Sequence, residues 1–215
     1  MVKQNQNCIW VGIGIEVPMG SQICREIIKA NNLLVDKYRA KKGFSGSKHP
    51  HLNLYDLSVP NENIRLIAEK LKGISKTQKS FTVKIEDINY FHFGLIFLKI
   101  EKSDALVKLH EKIVEEVAKL KSGCIDADYL TPHRKYTARQ KEMLMRYGNP
   151  FVLDQFQPHI TIGHVKNQED KLDKIRKRLR ELISMTEIKI YNIHFVAGNE
   201  KDKLMLGKFN LISTE

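Results

Sequence analysis

Eight histidines occur in the chain, and two of them share a setting that the others lack. Each follows a proline and stands two places before a short hydrogen-bonding residue, with apolar residues between and after: Pro50-His51-Leu52-Asn53-Leu54 and Pro158-His159-Ile160-Thr161-Ile162. On a β-strand, positions i and i+2 share a face about 6.5–7 Å apart. His51 and Asn53 then project together while Leu52 and Leu54 point to a core, and His159 and Thr161 do the same over Ile160 and Ile162. A phosphate fits between an imidazole and a short polar side chain on such a face. Two such strands facing one groove bring two imidazoles to one phosphorus, the requirement for in-line displacement at a phosphodiester without a metal. One neutral ring takes the proton of the attacking hydroxyl or water, and the other, protonated, delivers a proton to the leaving oxygen. Histidine suits both roles because its unperturbed pKa near 6.5 lies close to neutrality. Each such group contributes about 10²–10⁴-fold, and Asn53 and Thr161 are placed to donate to the non-bridging oxygens.

The elements that must carry these residues alternate along the chain. Strand patterns cover 8–17, 51–57, 81–91, 93–100, 158–165, 187–197 and 203–212, the last two reading as a hairpin around Gly198-Asn199. Helical spacing covers 22–38, a short helix from Pro60-Asn61 to about Lys72, a helix capped by Ser103 running to about Lys121, and a charged helix near 168–184. The order is β-α-β-α-β followed by β-α-β-α-β-β, with the proline-histidine strand third in each half, a duplication of pattern rather than of letters. One bilobal domain over 1–215 is expected, its two lobes exchanging strands.

Composition agrees with a folded chain: 42% hydrophobic and 28% charged over 215 residues. This excludes a disordered tail, a collagen-like chain and a disulfide-stapled mini-fold. No window approaches 18 consecutive apolar residues, so no spanning helix is expected, and MVKQNQNCIW lacks the apolar stretch of a secretory signal. Thirty-six Lys and Arg against 25 Asp and Glu leave +11, which favours polyanionic partners through counterion release. Cys8, Cys24 and Cys124 are few, odd in number and far apart, which reads as a reducing, cytoplasmic compartment and not as a thiolate zinc site.

Basic and aromatic residues cluster in the connections. TPHRKYTARQKEMLMRY (131–147) offers Arg134, Tyr136, Arg146 and Tyr147, and KKGFSGSK (41–48) offers Phe44 and Lys48. With Tyr55, which continues the His51/Asn53 face, these are the candidate substrate contacts. Gly12-Ile13-Gly14 lies within a strand pattern with no third glycine opening a helix, so it is no dinucleotide loop; it marks close approach of a ligand or backbone, or simple sheet crowding. His49-Pro50-His51 has no carboxylate or thiolate at a helpful spacing, so no metal site is expected.

The two strands resemble the H-x-[ST]-x motifs of the two-histidine (2H) phosphoesterase superfamily, which includes the 2′-5′ RNA ligase-like proteins and cyclic phosphodiesterases. RYGNPFVLDQFQPHITIGHV (146–165) resembles the region around that family's second motif. The resemblance runs from the first strand to the last. It implies an α+β fold of two pseudo-symmetric antiparallel lobes, helices outside and a cleft between. It also implies metal- and cofactor-independent action on 2′,3′-cyclic phosphates or 2′-5′ linkages of RNA ends or nucleotides, with no membrane and no obligatory protein partner. Cleavage and ligation share one transition state, so either direction fits. By position His51 and His159 become the acid/base pair and Thr161 a phosphate donor; Asn53 departs from the family's usual threonine or serine. The alternatives are a catalytically weak RNA-end or nucleotide-binding module, and a phosphodiesterase for cyclic oligonucleotides.

Overall fold

The computed structural model describes residues 7–41, 43–44, 49–91, 93–166, 168–198 and 203–214. The strands are β1 (Cys8–Glu16), β2 (His51–Pro60), β3 (Phe81–Tyr90), β4 (Leu95–Ile100), β5 (His159–His164), β6 (Glu187–Ile190), β7 (Asn192–Gly198) and β8 (Lys203–Asn210). The helices are α1 (Gln22–Tyr38), α2 (Ile64–Ser75), α3 (Asp104–Val117), α4 (Ala138–Tyr147) and α5 (Leu172–Arg180). The strands are ordered β6-β3-β4-β5-β2-β1-β7-β8, every neighbouring pair antiparallel. The fold is α+β, two four-stranded halves meeting where β2 touches β5.

Alternation of apolar and polar residues makes these strands. Leu52, Leu57 and Val59 of β2, Ile160 and Ile162 of β5, and Val11, Ile13 and Ile15 of β1 are all buried. Helices complete the core by laying one apolar stripe on the sheet: Ile23, Ile27 and Leu34 of α1, and Leu106, Leu109, Ile113 and Val117 of α3. Ser21 and Ser103 cap these two helices, each hydroxyl accepting from the backbone N–H three residues on. The halves exchange helices as well as strands, for α1 packs on β5 and α3 on β2.

Two sequence expectations change. The run 187–197 is not one strand: it breaks at Tyr191, β6 pairing with β3 in one half and β7 with β1 in the other. The cysteine pattern reads as a reducing compartment, but Cys8 and Cys124, 116 residues apart, are joined by a disulfide, leaving only Cys24 free and buried. Distance along the sequence says nothing about distance in the fold. Among the described residues no helix is long and apolar enough to cross a membrane.

Candidate active site

β2 and β5 meet through one backbone pair, Leu52 opposite Ile160. Antiparallel register then sets His51 level with Thr161 and Asn53 level with His159, so the histidines stand on a diagonal, about 7–8 Å apart at the backbone. Both rings are held alike. His51 Nδ1 lies 2.9 Å from the carbonyl of His49, and His159 Nδ1 lies 2.7 Å from that of Gln157. A carbonyl only accepts, so each Nδ1 carries a proton, and in the neutral ring each Nε2 keeps its lone pair. The prolines make this arrangement. A residue before proline is kept in extended backbone, which turns the His49 and Gln157 carbonyls back to the rings. The carbonyls of Pro50 and Pro158 accept from Val17, just past β1, and from Ile100 of β4.

The same symmetry continues past the motifs. Each motif strand carries a β-bulge three residues beyond its histidine, at Leu54 against β1 and at Ile162 against β4. A bulged residue is left out of the ladder, and here each of its carbonyls is met by a buried side chain from the facing helix. His110 Nδ1 of α3 donates to Leu54 at 2.8 Å, and Asn31 Nδ2 of α1 donates to Ile162 at 2.8 Å. His110 also accepts from the Leu153 N–H at 2.8 Å and stacks on Phe156 at 3.9 Å, so it ties β2 to the approach to β5. Burial pushes its pKa down to about 4.

The bulge also corrects the reading of Tyr55. Beyond Leu54 the alternation reverses, so Tyr55 turns into the core at 1% exposure and donates its hydroxyl proton to the Tyr147 carbonyl. It is an internal anchor and not a substrate contact. Phe44 lines an open groove of about 290 Å³ with Lys41, Gly43, His51, Thr161, Ile162, Gly163 and His164. Lys48 lies outside the described residues. Arg134 sits 5.5 Å over the Tyr129 ring, and Tyr136 meets Phe151 edge to face at 6.3 Å. Arg146 lies over the Tyr147 ring at 5.1 Å. None of these last four lines the groove, but Tyr129 donates to Asp56 at 2.8 Å, and Asp56 accepts from the Asn53 amide at 2.6 Å. Arg134 is thus linked to Asn53 through Tyr129 and Asp56, while Tyr136 reaches Tyr129 only by way of Phe151, 6.4 Å from the Tyr129 ring. A second groove, between α1 and α5, is lined by Lys37, Lys174, Lys177 and Arg178 but by none of the motif residues.

Four neighbours escape sequence reasoning. His194 of β7 is 7% exposed and meets the His51 ring edge to face at 5.9 Å. Burial first, then the His51 charge, lower its pKa to about 4. Gly14 leaves room for it: a Cβ there would stand 2.8 Å from His194 Cε1 and 2.6 Å from the Leu52 carbonyl. The paired glycines of β1 are the only sequence signal for this, and crowding by neighbours explains them. Glu16, opposite His51 in register, pairs with Lys208 at 2.7 Å. Burial works to raise the Glu16 pKa, but Lys208, with His49 and His194, holds it below the usual range. Phe97 and Phe91 contact the His159 ring at 5.1 and 5.9 Å. His51 itself opens to solvent through the groove, yet the protein packed about it lowers its pKa, with Lys203 and His159 adding and its bond to His49 opposing. The shift favours its neutral form, and among the described residues its Nε2 has no hydrogen-bond partner.

Comparison with other proteins bears on the fold and the family. An RNA 2′,3′-cyclic phosphodiesterase of Thermotoga maritima is 26% identical over 159 residues, 70% of each chain. TT0787 of Thermus thermophilus superposes with a TM-score of 0.61 at 16% identity over 96% of this chain and all of its own. LigT of E. coli does so with 0.56 at 14% identity, over 95% of this chain and 98% of its own. A family model described as the 2′-5′ RNA ligase superfamily matches residues 28–202, a span that includes both histidine motifs. The chain belongs to that superfamily and is a 2H phosphoesterase.

Proposed function

We propose that the protein is a metal-independent phosphodiesterase acting on 2′,3′-cyclic phosphates or 2′-5′ linkages of RNA ends or nucleotides, with His51 and His159 as its acid/base pair. One observation carries this reading: two rings, each with Nδ1 held by a backbone carbonyl, on a diagonal across one strand junction. His51, whose pKa is depressed, takes the proton of the attacking water or hydroxyl as the new P–O bond forms. His159, entering this step as the imidazolium with Nδ1–H held by the Gln157 carbonyl, hands its second proton, on Nε2, to the departing oxygen as the old P–O bond breaks. Thr161, on the groove wall beside His51, donates to a non-bridging oxygen. The relative from Thermotoga maritima, whose name states RNA 2′,3′-cyclic phosphodiesterase activity, and a LigT structure complexed with 3′-AMP support the substrate class.

Turnover of nucleoside 2′,3′-cyclic phosphates and 2′-5′ dinucleotides in the presence of chelator tests the reading. His51→Ala and His159→Ala should each lower kcat by about 10²-fold or more, and kcat/KM should follow a bell-shaped pH profile. Full activity in either variant would end the two-histidine mechanism. A second reading, a nucleotide-binding module with weak turnover, is favoured by Asn53, whose amide already donates to Asp56. Tight binding of nucleoside phosphates with no turnover across the panel would decide for it.

A further inference from the structure

The turn between β3 and β4 holds an aromatic ladder that the acid/base chemistry does not use. Phe93 is 61% exposed. Its ring stacks on Phe91 at 5.4 Å and 11°, Phe91 leans on Phe97 at 4.7 Å, and both Phe91 and Phe97 contact the His159 ring. Phe93 also meets His164, a wall of the groove, edge to face at 6.1 Å. A lone exposed phenylalanine is ordinary, but this one is fixed in place by its backbone. His164 Nε2 donates to the Phe93 carbonyl at 2.8 Å. The Gly94 N–H donates to Phe91 at 2.8 Å, and the Gly94 carbonyl accepts from Val165 at 3.0 Å. Gly94 has φ +88°, and a Cβ there would lie 1.9 Å from the Val165 carbonyl, so only glycine closes this turn onto β5.

We infer that the Phe91–Phe93 stack is a nucleobase platform, the subsite for the base of a nucleotide whose phosphate lies between His51 and His159. The inference rests on the proposed site and narrows its substrate: a nucleoside phosphate and not a bare sugar phosphodiester. A solvated aromatic face two ring contacts from His159 lies within the reach of one nucleotide, and stacking accepts any base because every base has a π-face. The pronounced positive charge supplies phosphate attraction without base choice, so the ladder adds recognition that the cations do not.

Calorimetric titration of the full chain with adenosine 2′-monophosphate and with inorganic phosphate tests this. Phe93→Ala should weaken the nucleotide about tenfold, the loss of one stacked base, and leave phosphate affinity unchanged, while Phe93→Trp keeps both. Equal nucleotide affinity in Phe93→Ala and the parent, parallel loss of phosphate, or no nucleotide binding by the parent would overturn the platform. Nucleotide binding that depends on Phe93 without turnover would leave the platform standing and remove the catalytic reading; turnover with no dependence on Phe93 would do the reverse.

Discussion

Single contacts set the proton positions in this site. The tautomer of each motif histidine is fixed by one carbonyl, and the ring of His51 is backed by His194, which fits only because residue 14 has no side chain. Gly14→Ala forces a Cβ against the Leu52 carbonyl and His194. It should cost about 1–3 kcal/mol by overpacking, read as a lower urea midpoint, and should lower kcat by displacing the support of His51; an unchanged midpoint and rate would show that the contact does not matter. His194 also makes stability depend on pH. Its folded pKa, about 4, lies below the ordinary 6.5, so the unfolded chain binds the extra proton between these values. The contribution is complete above pH 6.5 and is lost as pH falls through about 4, of the order of 3 kcal/mol in full. His110 titrates over the same window. Replacing His194 with Asn should therefore flatten, without abolishing, the fall in urea midpoint between pH 6.5 and 4.

At the scale of elements, the bulges and their caps govern where the motif strands point. Asn31→Ala leaves the Ile162 carbonyl and the Gly43 N–H, 3.1 Å from Asn31 Oδ1, without partners. A loss of about 1–3 kcal/mol is expected. His110→Ala strips two backbone groups and a ring stack, and should cost more; urea denaturation ranks them. The strands and helices were legible because apolar residues recur with period two or near four, and the proline-histidine pairs because their letters coincide. The bulges were not, since no residue type marks Leu54 or Ile162, and Tyr55 was misplaced for that reason. His194 was invisible for another reason: its partner depends on β7 lying beside β1, and the run 187–197 reads as unbroken until Tyr191 is seen to divide two halves. The aromatic turn at Phe91–Phe93 read as ordinary strand ends, because only the fold brings it to His159.

Across the whole molecule, one covalent tie spans much of the chain. The Cys8–Cys124 disulfide joins the start of β1 to the segment leading to Tyr129 and Asp56. Closing a loop of that length contributes roughly 4–5 kcal/mol in the chain-entropy model, so reduction with dithiothreitol should lower the urea midpoint clearly, and Cys124→Ser should reproduce it in the absence of reductant; no difference would mean that the tie contributes nothing.

The two motif strands, β2 and β5, share a single backbone pair, Leu52 with Ile160, and the histidines flank it. On the proposed reading, an anion held between the histidines bridges both motif strands at once. A phosphate lodged there acts as a bolt through the joint, so adding it should protect amides on both sides of the junction from deuterium exchange together, and leave strands far from it, such as β8, exchanging as before.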